Sequence, residues 1–296
     1  MAGRLNPVLR WAAGVLLLAA LVWWVQRSVG WAEVFAAWGR LSASELALVT
    51  LLTFVGYIAR AARLVAHFGG ALKTEPLLTF RVMALHNLAN NFLPMRTGEL
   101  SFPILLRREF QIDAARSVGA LLWLRALDLS AILVAAALSL GIDRLGLGVG
   151  LALGVAGLVL PAVGFRLLKL HQPEGEGMLA RLAAGLPVST ASLLAGHLLT
   201  LLHWGAKLAA WAWLLGRLGH IDRVLAWTGA VAGELTSVLP VHGIAGAGTY
   251  EAGIVLVLRP LGVPVDDALM AATDLHLFLL GFALLTGLLA WLFIRR

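Results

Sequence analysis

The sequence predicts an all-α protein that crosses a membrane several times. Of its 296 residues, 60% are hydrophobic and only 13% are charged, whereas a soluble domain carries about 25% charged residues. Apolar runs of roughly 20 residues recur from end to end, and each can cross a hydrocarbon core about 30 Å thick. Because no long polar segment is left over, we expect one membrane domain over residues 1–296.

Six of the apolar runs predict full transmembrane helices. The first follows a positively charged N-terminus but lacks a cleavage site of small residues, which favours a retained helix over a signal peptide. The longest polar stretch, 166–187, predicts a loop. The six predicted spans are 8–26, 44–66, 115–140, 145–166, 189–216 and 268–294.

Two further apolar segments, 75–110 and 222–260, are each divided by a break rich in proline and glycine. The arm after each break is too short to cross the membrane easily. We therefore expect two re-entrant helical hairpins. The residues predicted to interrupt the helices are Pro94 and Gly98 in the first break and Pro240, Gly246 and Gly248 in the second.

The two halves of the chain have features of an inverted repeat. Asn91-Phe-Leu-Pro94 and Ser237-Val-Leu-Pro240 lie 146 residues apart (91 to 237), and the same spacing joins Asp128 to Asp274. Such repeats are typical of transporters, so we predict pseudo-repeats over about 1–143 and 144–296. The alternative is chance, because Leu-Pro pairs are common in a leucine-rich chain.

The distribution of basic residues predicts the orientation. If each half has three spans and one hairpin, more of the lysines and arginines at helix ends fall on the side of the two termini. The positive-inside rule then places both termini in the cytoplasm of a bacterial-type inner membrane. Arg63, Arg107 and Arg108 count among these cytoplasmic residues. Eight full spans would also leave both termini inside, but would suit Arg107 and Arg108 less well.

Irregular backbone at membrane depth is tolerated only where it is buried in protein or lines a wet cavity. The two breaks therefore predict a polar site inside the protein, and helix N-termini there would attract anions. The residues predicted to bind or move the substrate are Asn87, Asn91, Arg96, Glu99, Arg125, Asp128, Glu234, His242, Tyr250, Glu251 and Asp274.

Specific roles can be assigned to two pairs of these residues. Arg96 would bind an anion, and Glu99 would orient it or carry a proton, although Glu99 could instead only cap the next helix. Arg125 and Asp128 lie three residues apart, on one face of an otherwise apolar helix. Charges in such a position are costly and usually point inward in pairs, so this pair is either part of the site or a structural lock.

Several classes of function are excluded by the sequence. The chain has no cysteine, which excludes disulfides, thiolate metal sites and cysteine nucleophiles. A net charge of +7 suits anionic lipid in a membrane protein, so we expect no nucleic-acid partner. There is no P-loop pattern for ATP hydrolysis and no recognised hydrolase motif. We therefore expect no cofactor, no metal and no enzymatic activity.

Three motifs in order resemble a known family. They are Asn91-Phe-Leu-Pro-Met-Arg-Thr-Gly-Glu99, Arg125-Ala-Leu-Asp128, and Leu239-Pro240 followed by Gly246-Ala-Gly-Thr-Tyr-Glu251. They resemble the transmembrane flippase-like domain of lysylphosphatidylglycerol synthases and its stand-alone relatives, which include proteins linked to hopanoid export. The resemblance covers nearly the whole chain. One departure is Met95, where the family is expected to have glycine.

The resemblance implies lipid translocation. It does not imply aminoacyl-lipid synthesis, because this sequence lacks the soluble aminoacyl-transfer domain. We expect a flippase for a lipid with an anionic or phosphate-bearing headgroup, driven either by a gradient of protons or another ion or by downhill lipid flow, with an undetermined oligomeric state. The alternatives are an intramembrane lipid-modifying enzyme, using His86, His242 or His276 with a glutamate, and a non-transporting partner of such an enzyme.

Overall fold

A computed structural model describes residues 7–141, 146–171, 173, 175, 177–236 and 244–294. All regular elements in these residues are helices, as predicted. The first seven are α1 (Pro7–Ser28), α2 (Trp31–Ala37), α3 (Ala43–Phe68), α4 (Gly70–Thr74), α5 (Pro76–Phe92), α6 (Ser101–Phe110) and α7 (Ala114–Leu140). The rest are α8 (Leu147–Leu170), α9 (Met178–Ala183), α10 (Thr190–Leu218), α11 (Arg223–Thr236), α12 (Thr249–Leu258) and α13 (Val265–Phe293).

Five of these helices are long and apolar enough to cross a membrane, namely α3, α7, α8, α10 and α13. The pair α1 and α2 forms a sixth candidate span, bent by 82°. The bend falls at Gly30, whose φ of +86° lies in the left-handed region that favours glycine. The prediction of about six membrane-crossing helices is confirmed as five or six candidate spans, and the first one is bent rather than a single straight helix over 8–26.

The helices are interrupted at both predicted breaks. Helix α5 ends at Phe92, and a 3₁₀ segment, Pro94–Leu100, leads into α6. After α11, a 3₁₀ turn at Ile244–Gly246 precedes α12. At the first break Gly98 is required, because a Cβ there would lie 2.3 Å from the carbonyl oxygen of Ala89. The re-entrant course of the two broken pairs stays a prediction.

The predicted loop over 166–187 is wrong in part. Helix α8 continues to Leu170, and α9 forms within the polar stretch. Helix α9 packs so closely on α7 that a Cβ on Gly119 would lie 2.0 Å from the carbonyl oxygen of Leu182. This short helix depends on tertiary packing rather than on its own propensity, so its composition did not reveal it.

The order of elements recurs along the chain. A long helix, a short helix, a long helix, a broken pair and a long helix appear as α1, α2, α3, α5–α6 and α7. The same order follows as α8, α9, α10, α11–α12 and α13. Helix α4 has no counterpart in the second series. The repeat and the opposite orientation of its halves stay predictions.

The chain divides into two compact units that do not coincide with the halves of the sequence. Unit 1 comprises Met1–Leu52, Asn87–Glu99 and Leu208–Leu285. Unit 2 comprises Thr53–His86, Leu100–Lys207 and Thr286–Arg296. Each unit therefore combines a broken pair from one half with the first two helices of the other half.

Helix α7 is the central helix of unit 2. In its most apolar stretch 56% of the residues are buried, against 22% for α8. One apolar core joins α7 to α3, α5 and α6 through side chains that include Leu64, Val82, Phe102 and Leu121. Helix α8 thus presents most of its surface to lipid, whereas α7 can hold polar side chains away from it.

Cysteine labelling tests the re-entrant course on a chain that has no native cysteine. We expect Glu75→Cys and Gln111→Cys, which flank α5 and α6, to react with an impermeant thiol reagent from the same side of the membrane. Asp222→Cys and Asp266→Cys, which flank α11 and α12, should both react from the opposite side. All four of these positions are exposed. Labelling of the two residues of one pair from opposite sides would instead show a broken full span.

Candidate functional site

Asp128 lies at the centre of a buried hydrogen-bond network in unit 2. Its Oδ1 accepts a hydrogen bond of 2.6 Å from Arg63 Nη1 on α3. The same oxygen accepts one of 3.1 Å from Trp204 Nε1 on α10. The predicted partner Arg125 is more distant, with Nη1 3.5 Å from Oδ2. Asp128 therefore connects α7 to two other membrane helices.

The buried position of Arg63 corrects its assignment to the cytoplasmic ends of the helices. Arg63 was counted among the cytoplasmic flanking residues, but it is only 2% exposed. Its Nη1 also donates a hydrogen bond of 2.9 Å to the hydroxyl of Thr200. Arg63 is thus an interior residue and does not belong in a count of basic residues at helix ends.

A small cavity beside Asp128 is lined by three arginines. Arg60, Arg63 and Arg125 line it together with Asp128 and His86. The free space is about 10 Å³, which is room for roughly one water molecule. The described lining therefore places three guanidinium groups beside one carboxylate.

Two polar residues on α10, His203 and Lys207, have structural partners. His203 Nδ1 donates a hydrogen bond of 3.0 Å to the carbonyl oxygen of Gly56 on α3. The ammonium of Lys207 lies 4.5 Å from the centre of the Trp204 ring, a cation–π contact. His203 therefore joins α10 to α3 beside the Asp128 network, whereas the contact of Lys207 lies within α10.

Glu251 is the centre of a second buried cluster, in unit 1. It is 1% exposed and lies in the first turn of α12. Its Oε2 accepts a hydrogen bond of 2.9 Å from the backbone N–H of Gly248. Its Oε1 lies 2.6 Å from Nδ1 of His276 on α13. The carboxylate therefore both caps α12 and joins it to α13.

Tyr250 and Glu234 lie on the two helices that form this second broken pair. The Tyr250 ring packs against His276, with ring centres 4.7 Å apart. It approaches α11 so closely that a Cβ on Gly233 would lie 2.9 Å from Tyr250 Cζ. Glu234, the next residue on α11, is buried. Unit 1 thus holds a buried group of carboxylates, one imidazole and one phenol.

Asp274 has a different partner from its neighbour His276. Its Oδ1 accepts a hydrogen bond of 2.7 Å from Trp38 Nε1, and the residue is fully buried. His276, two positions further along α13, contacts Glu251 instead. Two positions on a helix lie on different faces, so these residues serve separate contacts.

The first break is described only in part. Asn87, at the end of α5, is buried, while Asn91 and Glu99 are partly buried. The backbone of Pro94 and Arg96 lies in the 3₁₀ segment, but their side chains lie outside the described part. His242 and Pro240 also lie outside the described residues. The predicted roles of these residues stay predictions.

The predicted site residues fall into both units. Arg125 and Asp128 belong to unit 2. The others that the structure describes belong to unit 1, where His276 and Trp38 join them. These are Asn87, Asn91, Glu99, Glu234, Tyr250, Glu251 and Asp274. Among the described residues, no group of three histidine or acidic side chains is arranged to hold a metal ion.

The sequence analysis missed the arginines of α3. Arg60 and Arg63 are three residues apart in an apolar span, which places them on one helix face. This is the same signal that identified Arg125 and Asp128. Arg63 was overlooked because it lies close to the end of its span, where an arginine normally reaches the interface.

The helices and the buried charged clusters define a polytopic α-helical membrane protein with an ionisable interior. The family described as "Lysylphosphatidylglycerol synthase TM region" matches residues 11–287. The chain therefore belongs to this family, and the resemblance inferred from the three motifs is confirmed. The match is to the membrane region of these synthases and not to their catalytic domain. A comparison with curated proteins found no significant match.

The Asp128 network should dominate the stability of unit 2. We expect Arg63→Met to lower the free energy of unfolding by about 3 kcal/mol, because it leaves a buried carboxylate without its main partner. Thr200→Val removes one neutral acceptor and should cost about 1 kcal/mol. Unfolding titrations in mixed micelles would measure both. Equal losses in the two variants would show that Arg63 and Asp128 form no strong pair.

Proposed function

We propose that this protein is a flippase that moves a lipid with an anionic or phosphate-bearing headgroup across the inner membrane. The observation that carries the proposal is the buried cavity in which Arg60, Arg63 and Arg125 surround the single carboxylate of Asp128. Membership of the family of synthase membrane regions supports a role in lipid handling.

An anionic group is the natural ligand of this cavity. Buried charges are costly unless they are paired, and the described lining places one carboxylate beside three guanidinium groups. Guanidinium groups bind phosphate with two parallel hydrogen bonds. A phosphate entering the cavity would therefore meet several groups suited to bind it.

The small size of the cavity fits a transport cycle. A volume of about 10 Å³ cannot hold a phosphate group, so the described conformation encloses the arginines without substrate. Leu121 and Leu124 of α7 and Phe102 of α6 complete the lining. Binding of a headgroup would require these side chains to move apart, as expected for alternating access.

The buried group in unit 1 supplies a site for ion coupling. The carboxylate of Glu251 and the imidazole of His276 are in direct contact, and Glu234 lies buried on the neighbouring helix. One proton taken up by this cluster, or released from it, changes the buried charge by one unit. This change would favour one conformation over another and could couple proton movement to lipid movement.

Reconstitution in liposomes tests the transport role. We expect wild-type protein to move a fluorescent anionic phospholipid between leaflets, measured by chemical quenching of the outer leaflet. Arg60→Gln and Arg125→Gln should slow this movement at least about tenfold, because each removes a charge-assisted hydrogen bond worth about 1.5–3 kcal/mol. Arg223→Gln, at an exposed position on α11, is the matched control.

Three outcomes of this experiment are decisive. Loss of lipid movement in Arg96→Ala and Glu99→Gln would show that the first break is part of the transport pathway. Wild-type rates in all the arginine variants would refute the proposed cavity. Appearance of a chemically altered lipid would instead support the alternative of an intramembrane enzyme.

Proton coupling has its own test. We expect a pH difference across the liposome membrane to accelerate lipid movement in wild-type protein. In Glu251→Gln this acceleration should be lost, because the glutamine cannot take up a proton, while movement without a gradient persists. Asp266→Asn, which neutralises an exposed carboxylate in the first turn of α13, should retain the acceleration. An unchanged response in Glu251→Gln would exclude Glu251 as the coupling group.

A further inference from the structure

Asp274 is buried in unit 1 with a single hydrogen bond to its carboxyl group. None of the residue is exposed, and it lies inside α13, a helix with the length and composition of a membrane span. Its Oδ1 accepts the hydrogen bond from Trp38 Nε1, whereas its buried Oδ2 has no hydrogen-bond partner in the part of the chain that the structure describes. Within that part, Asp274 also forms no ion pair. The charge of an ionised Asp274 would therefore be left uncompensated.

Asp128 shows what a buried aspartate has when it is held as a carboxylate. Like Asp274, it accepts an indole N–H, that of Trp204 at 3.1 Å. In addition, Arg63 lies 2.6 Å from its Oδ1 and Arg125 lies 3.5 Å from its Oδ2. A buried carboxyl group without such partners avoids the large cost of an isolated charge by taking up a proton. The surroundings of Asp274 thus favour the neutral carboxylic acid.

The nearest charged group acts on Asp274 only from the surface. It is the guanidinium of Arg40, two residues after Trp38, which has an electrostatic influence on the carboxyl group. Arg40 is exposed, and its Nη1 lies 3.3 Å from Nε2 of His220. Because water screens an exposed charge strongly, Arg40 does not take the place of a buried ion pair.

The other charged groups on the surrounding elements have their own partners or reach solvent. Arg217 of α10 pairs with Glu45 of α3 at 3.0 Å. His276 of α13 contacts Glu251 of α12. The acidic side chains of α2 and of the first turn of α13 are exposed or partly exposed, namely Glu33, Asp266 and Asp267.

The element that contacts Asp274 through Trp38 is short. Trp38 begins the 3₁₀ turn Trp38–Arg40, which directly follows the seven-residue helix α2. We call α2 and this turn the Trp38 lid. The Trp38 ring also stacks on Phe278 of α13, with ring centres 6.4 Å apart. Because a helix of this length has little stability of its own, the position of the lid depends on such contacts.

We propose that Asp274 is a proton-binding site, protonated while the Trp38 lid is closed and ionised when the lid opens and water reaches the carboxyl group. On opening, the O–H bond breaks and the proton passes to water. The closed lid therefore holds one proton more than the open lid. Acid favours the closed lid, and rising pH favours opening, by up to about tenfold in the equilibrium constant per pH unit. This site is separate from the Glu251 cluster, and it does not depend on the proposed lipid movement.

Infrared spectroscopy tests the bound proton. In protein made with aspartate that carries carbon-13 in its side-chain carboxyl group, protonated aspartate has a C=O band separate from that of glutamate. We expect this band in wild-type protein at neutral pH and its loss in Asp274→Asn, which keeps a neutral group and an oxygen for Trp38 Nε1. Asp266→Asn, at an exposed position, should retain the band. Absence of the band from the wild type, or its persistence in Asp274→Asn, would overturn the proposal.

Thiol labelling tests the opening of the lid. Ala37→Cys is at a buried position of α2, and Ala36→Cys is at an exposed one beside it. The ratio of their labelling rates by a water-soluble reagent, in detergent micelles, corrects for ionisation of the thiol. We expect the ratio for Ala37→Cys over Ala36→Cys to rise at least about tenfold between about pH 6 and about pH 8. With Asp274→Asn added to both variants, the ratio should stay constant, because asparagine has no proton to release.

A third substitution separates the hydrogen bond from the ring contact. Trp38→Phe keeps an aromatic ring against Phe278 but removes the N–H donor, so it should raise the ratio severalfold at both pH values. An unchanged ratio in Trp38→Phe would overturn the role of this hydrogen bond in closing the lid. A ratio that does not vary with pH in the wild-type background, or that varies equally with Asp274→Asn, would overturn the link between Asp274 and the lid.

Discussion

The packing of unit 2 depends on one requirement of the membrane interior, that a buried charge must find its partner inside the protein. Asp128 meets this requirement through residues that are distant in sequence. Arg63 precedes it by 65 residues, and Trp204 follows it by 76. Hydrophobic burial alone cannot select partners among membrane helices, because lipid tails are as apolar as the side chains. The carboxylate therefore specifies which helices pack together.

The sequence at the predicted repeat spacing of 146 residues differs in charge between its two parts. Asp128 and Asp274 lie 146 residues apart, and each accepts a hydrogen bond from a tryptophan indole. The positions that correspond to Arg60, Arg63 and Arg125, at the same spacing of 146 residues, are alanines: Ala206, Ala209 and Ala271. Among the described residues, the arginine cavity lies in unit 2 and the carboxylate cluster of Glu234 and Glu251 lies in unit 1.

The apolar runs and the positions of proline and glycine predicted most of the fold. The length of each apolar run located a span, and proline with glycine located both helix interruptions, because these signals act over a few residues. The contacts between side chains in the site were harder to predict from the sequence. The pairing of Arg125 with Asp128 followed from helical spacing, but the stronger bond from Arg63 joins separate helices and has no local signature. Helix α9 was missed for the same reason, since it depends on the close approach at Gly119.

The distance in sequence between Arg63 and Asp128 has a consequence for biosynthesis. The ribosome adds about 5–20 residues per second, so α3 emerges roughly 3–13 seconds before the carboxylate that neutralises its arginine. An isolated arginine in a membrane helix costs several kcal/mol. During this interval α3 must remain near the insertion machinery, stay at the interface or bind a chaperone, and the final helix arrangement forms only when α7 and then α10 arrive.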